Sequence, residues 1–161
     1  MTPELGQFAL ILALLLALAQ CALPLLGAWR GDRALMAVAR PAAAGQAVFV
    51  VAAFAILVAC FLGQDFSVAY VAQNSNLQLP WYYRISAVWG AHEGSLLLWV
   101  LILNLWTVAV AALSRALPEA FMARVLGVLG FVSVGFLLFT LITSNPFARH
   151  LPALADGNDL N

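Results

Sequence analysis

Apolar residues fall along this chain in four long runs separated by short polar breaks. The runs extend from about Gly6 to Ala28, Ala42 to Leu62, Ser95 to Leu113 and Met122 to Thr143. Each approaches the roughly 20 residues that a helix needs to cross about 30 Å of hydrocarbon. Lipid offers no partner for an open backbone group, so helices are predicted throughout, although Gln20 and Pro24 interrupt the first run. The first run is preceded by Pro3 and Glu4, with no basic residue. It is also longer than the apolar core of a secretory leader, which predicts a retained span. The fold class expected is therefore all-α, a polytopic bundle of four transmembrane helices.

The polar breaks set the orientation. Arg30, Arg33 and Arg40 lie between the first two spans, and Arg115 and Arg124 between or just within the last two; the opposite side has only Arg84 and Arg149. Five arginines against two place the short loops on the cytoplasmic side and both ends outside. The connection from 63 to 94 is then external, as is the tail from 144 to 161. After Pro80 the external segment reads "WYYRISAVWGAHEG", with Trp81, Tyr82, Tyr83 and Trp89 ahead of the third span. Such rings favour the headgroup level, so a short surface helix is expected, as a plain aromatic belt or as a docking rim.

Composition narrows the class. The chain is 65% hydrophobic and 9% charged, where soluble domains are about a quarter charged. Its seven basic residues are all arginine and balance seven acidic ones, so nothing suggests a nucleic-acid partner. Cys21 and Cys60 fall at different depths and are read as buried free thiols rather than a disulfide. Gln20, Gln46 and Asn104 are expected to face other helices. Small residues at Ala52, Ala55 and Ala59, and at Gly127, Gly130, Ser133 and Gly135, suggest close helix packing.

His92 and Glu93 stand together at the outer lip of the third span. A helix starting near Trp89 would align His92 with Leu96, Trp99, Leu103 and Trp106, and would put Glu93 about 100° away on the face of Leu97 and Asn104. A zinc-protease pattern needs a second histidine four residues after the first, and that position is Leu96. Three readings stay open: Glu93 favouring the helix N-terminus, Gly90 and Gly94 admitting a close neighbour, and His92 as a haem or proton ligand. An external rim that positions the third span is the reading adopted, with His92 as a candidate cofactor contact.

Taken in order, "PELGQFALILAL", "GAWRGD", "SVAYVAQNSNLQLPWYYR", "VWGAHEGSLLLWVL", "ARVLGVLGFVSVGFLLF", "TSNPF" and "DGNDLN" resemble the N-terminal part of the CcmF family. CcmF is the multi-span haem lyase component of bacterial cytochrome c maturation; CycK and the NrfE proteins of nitrite reductase assembly share the pattern. The resemblance implies an inner-membrane protein that takes haem from the chaperone CcmE at the periplasmic face. With partner subunits of the CcmH and CcmI type, it helps join haem vinyl groups to the CxxCH thiols of apocytochrome c. The family's Trp-rich WWD segment and its haem-ligating histidines are not matched here, where the only histidines are His92 and His150. The chain is accordingly read as the N-terminal portion of a longer protein, a scaffold and docking surface inactive in ligation by itself. The alternative is a structural or small-molecule or ion transport subunit of the membrane. The tail "HLPALADGNDLN" offers only three leucines, too little apolar surface to be expected to fold back over the rim at 81–89.

Overall fold

The structure is a computed structural model that describes residues 1–158. Four long helices carry it: α1 (Thr2–Arg30), α3 (Ala39–Leu62), α6 (His92–Leu113) and α7 (Glu119–Ile142). Three short ones join them: α2 (Arg33–Ala37), α4 (Ala69–Asn74) and α5 (Trp81–Ala87). All four long helices have the length and hydropathy to cross a membrane. The fold is an all-α, multi-pass bundle, and the described residues contain one isolated β-bridge, Val68 with Arg149. α4 lies in a stretch whose sequence shows little helical periodicity.

At 1.5 Å per residue α1 is about 43 Å long, more than the hydrocarbon thickness, which carries Glu4 and Arg30 beyond it. At its far end Gly31 takes a left-handed conformation (φ 72°), and Asp32 then accepts hydrogen bonds from the Ala34 and Leu35 amides (2.9 and 3.3 Å) to start α2. α1 runs through Pro24 unbroken. A proline there removes the amide that would bond the Gln20 carbonyl.

α1 packs along both α3 and α7, while α6 leans on the same two helices from the opposite corner. Small side chains make the α1 seams possible. Ala9, Ala13 and Ala17 share one core with Val50, Ala53 and Leu57 of α3. Across the other seam, a Cβ on Gly130 would come within 2.9 Å of the Cys21 nitrogen, and one on Gly127 within 2.7 Å of the Leu25 side chain. That approach lets the fully buried Gln20 donate from Nε2 to the Leu126 carbonyl at 2.8 Å.

Gln46 and Asn104 are buried between helices as expected, whereas several of the small-residue positions do not pack. Ala55 and Ala59 are exposed, because the buried face of α3 is Ala39, Ala42, Ala43, Gln46, Ala47, Val50 and Ala53, one phase away. A Cβ on Gly135 would likewise meet nothing within 4 Å. Both cysteines are free thiols.

Gly130 and Gly135 therefore separate packing from helix propensity. Gly130→Leu forces the α1–α7 seam apart and is expected to cost about 1–3 kcal/mol or more. Gly135→Leu meets open space and stays within about 0.5 kcal/mol of the parent. Thermal unfolding of the purified chain in detergent should show a lowered midpoint for the first and not the second. Equal losses would refute the assigned seam.

Candidate functional site

The residues from 63 to 94 and from 144 to 158 form one layer over the end of the bundle where α1 and α6 begin. Its pillar is Tyr70 of α4, a residue that sequence reasoning passed over. Tyr70 is 2% exposed and its ring meets Phe61 edge-on at 5.3 Å. Its hydroxyl donates to the Val88 carbonyl at 2.9 Å and lies 3.4 Å from both the carbonyl and the amide of Ala91. One phenol thus ties α4 to the turn that starts α6, and burial pushes its pKa up. The available signal was a tyrosine within "SVAYVA", which marks nothing without a partner.

Gly94 makes this possible. A Cβ there would run into the Val88 carbonyl and lie 2.6 Å from the Tyr70 hydroxyl. Gly90 differs: its nearest atom would be the Ala87 carbonyl oxygen at an ordinary 3.5 Å. Of the two glycines expected to admit a close neighbour, only Gly94 does. The reason is that α6 begins at His92 rather than near Trp89, which leaves Gly90 in an exposed turn.

His92 is the first residue of α6, and its Nδ1 lies 2.7 Å from the hydroxyl of Ser144, which is 3% exposed. Its ring meets Phe139 edge-on at 6.1 Å. The pair fastens the start of α6 to the end of α7, and it directs Nε2 away from Ser144. Glu93 stands in the first turn of α6, where a carboxylate favours the helix dipole; the N-cap residue is Ala91, which has no polar side chain to cap with. Trp81, Tyr82 and Tyr83 are consecutive and exposed on α5, with ring centroids 5.8 and 4.6 Å apart; Trp89 is exposed beyond them.

The tail does not lie over the rim at 81–89 but is not free either. It folds back over residues 67–77. Main-chain bonds carry it: Ala69 N–H to the Ala148 carbonyl, His150 N–H to Ser67 and Asn158 N–H to Ala72, each 2.8 Å. The Asp156 carboxylate accepts from the Leu77 amide at 2.9 Å. Counting leucines misses these bonds, which need no apolar surface. Arg149 completes the layer, reaching Glu4 at 2.6 Å, Asp65 at 3.7 Å and the Ser67 hydroxyl. Phe147 lies against Gly6, where a Cβ would strike its ring.

Below His92 an apolar groove opens between α6 and α7. Its upper part, ≈ 610 Å³, is walled by Leu96, Phe131, Gly135 and Phe139 among others; a second part, ≈ 450 Å³, lies against Trp99, Leu103, Trp106 and Phe136. Leu96, Trp99, Leu103 and Trp106 of the stripe thus line this groove, with His92 one turn before Leu96, and Trp99 and Trp106 are each 67% exposed. The face of Leu97 and Asn104 turns into the core.

A six-coordinate haem needs axial side chains from two sides. His92 is held by Ser144 and Phe139, and His150 through its backbone by Ser67; no contact between the two histidines is found among the described residues. The described residues also bring no three His, Cys, Asp or Glu together as a metal site. One rim imidazole over an apolar groove does not by itself fit a bis-axial haem.

The Tyr70 pillar gives a direct test. Tyr70→Phe leaves the buried Val88 carbonyl without its donor, a loss of about 1–3 kcal/mol. Gly94→Ala displaces both groups. Deuterium uptake over residues 88–95 should rise in both variants and stay unchanged in Gly90→Ala. Uptake that rises equally in Gly90→Ala would remove the pillar's role.

No protein-family model matches the sequence. The chain is 67% identical over its whole length to the cytochrome c-type biogenesis protein CcmF of Pseudomonas aeruginosa and 54% identical to that of Escherichia coli K12. The NrfE protein of Haemophilus influenzae is 39% identical, again over the full chain. The chain spans about a quarter of the length of each of these relatives (25%). Among solved structures, "Cytochrome c Heme Lyase CcmF" superposes with a TM-score of 0.86 at 32% identity, covering 91% of this chain and 25% of that one. With its full length aligned at such identities and its four helices superposed, the chain belongs to the CcmF family of cytochrome c biogenesis proteins.

Proposed function

We propose that this chain is the membrane frame and outer docking rim of a haem lyase component of cytochrome c maturation. It lies in the bacterial inner membrane with the aromatic layer and both ends of this portion periplasmic. The observation that carries the reading is the outer layer. Arg149, Tyr70 and His92–Ser144 lock residues 63–94 and 144–158 onto the bundle, and the rings of Trp81, Tyr82, Tyr83 and Trp89 are left outward on a rigid base. A rigid aromatic surface loses little conformational freedom on meeting a partner. The partners proposed are the haem chaperone CcmE, CcmH- and CcmI-type subunits, and apocytochrome c.

The cofactor proposed for the full-length protein is haem, with its axial ligands outside this portion. This chain's residues contribute a hydrogen-bonded imidazole at the lip and apolar groove walls below it. The groove between α6 and α7 is the face on which a further helix of a CcmF-length protein would pack, since relatives are about four times as long. A carrier more often shows a charged or proline-broken span near the midplane, and Pro24 comes late in α1. The buried polar residues of the described spans, Gln20, Gln46, Asn104, Thr107, Ser133 and Thr140, are uncharged.

The functional test places the variants in a full-length protein carrying this portion. His92→Ala removes the Ser144 contact and should lower covalent cytochrome c yield about fivefold, the worth of one hydrogen bond, with bound haem retained. Loss of all bound haem at unchanged protein level would make His92 an axial ligand and sink the scaffold reading. Gly135→Trp, harmless to the isolated bundle, should fill the groove and lower the yield as well.

Orientation is tested with single cysteines in a Cys21→Ala/Cys60→Ala background, at the exposed positions Ala34 and Gln73. An impermeant maleimide should label position 73 in intact cells and leave position 34 unlabelled. The opposite pattern would invert the protein.

A further inference from the structure

The end of the bundle opposite the aromatic layer carries Arg30, Arg33, Arg40, Arg115 and Arg124 against Asp32 and Glu119. Asp32 is occupied at the start of α2. Two of the arginines converge from different helices. Arg40, at the start of α3, and Arg115, just beyond α6, line the same trough of ≈ 290 Å³. Between them the wall is small and apolar: Ala44 from α3, with Val108, Ala111 and Ala112 from α6. No carboxylate lines this trough. Glu119 lines only the neighbouring cavity on the α7 side, which the same two arginines also border. Neither arginine has a hydrogen-bond or ion-pair partner among the described residues, and both are exposed.

We propose that Arg40 and Arg115 bind the phosphodiester headgroup of one anionic phospholipid, whose acyl chain lies in the Ala44–Val108–Ala112 trough along the α3–α6 seam. Three features favour a membrane lipid over a free phosphate. The cations stand at the ends of spanning helices, at headgroup depth. A guanidinium matches phosphate oxygens with paired donors, and its stem rests on apolar surface while its head stays at the interface. The trough continues below the charges as small apolar side chains, which suits a hydrocarbon chain and gives nothing to an inorganic ion. Basic pockets between transmembrane helices are the recurring form of such sites. The lipid site stands apart from the haem reading and survives or fails without it.

Native mass spectrometry of the purified chain, released from detergent after titration with dioleoyl phosphatidylglycerol or dioleoyl phosphatidylcholine, tests it. The chain should retain one phosphatidylglycerol at about thirtyfold lower lipid concentration than phosphatidylcholine, the worth of two arginines at an anionic headgroup. R40Q/R115Q should abolish that preference. R30Q/R33Q, which removes the same charge from the same end, should keep it. Ala112→Trp, which leaves the charge intact and fills the trough, should weaken phosphatidylglycerol retention at least tenfold. Equal loss in R30Q/R33Q would reduce the effect to diffuse charge and overturn the site. Equal retention of phosphatidylcholine, or displacement of the lipid by millimolar sodium phosphate, would overturn the headgroup assignment.

Discussion

The structure depends on how closely α1 can approach its two neighbours. Helices in lipid gain nothing from hiding apolar surface, because the solvent is as apolar as they are; they associate through close contact and through polar groups that find each other. α1 uses both. Alanines face α3, and the glycines of α7 let backbone approach backbone, close enough for the Gln20 amide to reach the Leu126 carbonyl. Pro24 fits this arrangement: it opens a carbonyl one turn above, in the stretch of α1 where a glutamine side chain already bridges the seam. A larger residue at Gly130 would separate the helices and strand that glutamine in hydrocarbon.

Because α1 is held on two sides, its outer end is a fixed platform, and the external layer is built against it. Arg149 binds Glu4, and Phe147 covers Gly6. The tail then hydrogen-bonds along 67–72, and α4 presents Tyr70 to the start of α6. The layer combines main-chain hydrogen bonds and one buried hydroxyl with apolar residues such as Phe66, Val68, Val71, Val88 and Phe147 that join the bundle's core. The exposed Arg149–Glu4 pair contributes little energy by itself, as exposed ion pairs do. Its value is positional, joining residues 145 apart in sequence.

What was legible in the sequence follows the same physics. The four spans could be read because span length is fixed by the bilayer and apolar runs of that length have few other uses. The His92–Trp106 stripe could be read because helical periodicity is independent of what the helix meets. Which small residues pack could not be read. Ala55 and Ala59 have the right spacing but the wrong phase, and Gly135 has the right spacing but no neighbour, since phase depends on partner helices. Gly90 and Gly94 look equivalent in "WGAHEG" and differ only because the helix begins between them. The fold-back of the tail escapes a reading of composition because its order comes from main-chain pairing, which leaves no mark there. Tyr70 and Ser144 were invisible for a related reason: each acts through partners far away in the chain.

The packing is unequal around the bundle, and that inequality bears on function. α1 is enclosed by two tight seams, whereas α6 shows its tryptophan stripe to an open groove. Its hold at the outer end comes from the Tyr70 hydroxyl at Ala91 and Val88, and from His92 at Ser144. α6 packs Leu97, Val100, Asn104, Thr107 and Ala111 into the core but leaves its tryptophan face open, and its outer end is fixed by these few polar contacts. A helix packed into the groove would replace lipid along α6 without disturbing α1, and would bear on the same turn that carries His92. The layer that fixes the aromatic rim and the open face of α6 meet at one helix terminus. A shift of α6 would reach the rim through residues 88–92, where the Tyr70 hydroxyl and the His92–Ser144 contact hold the helix terminus.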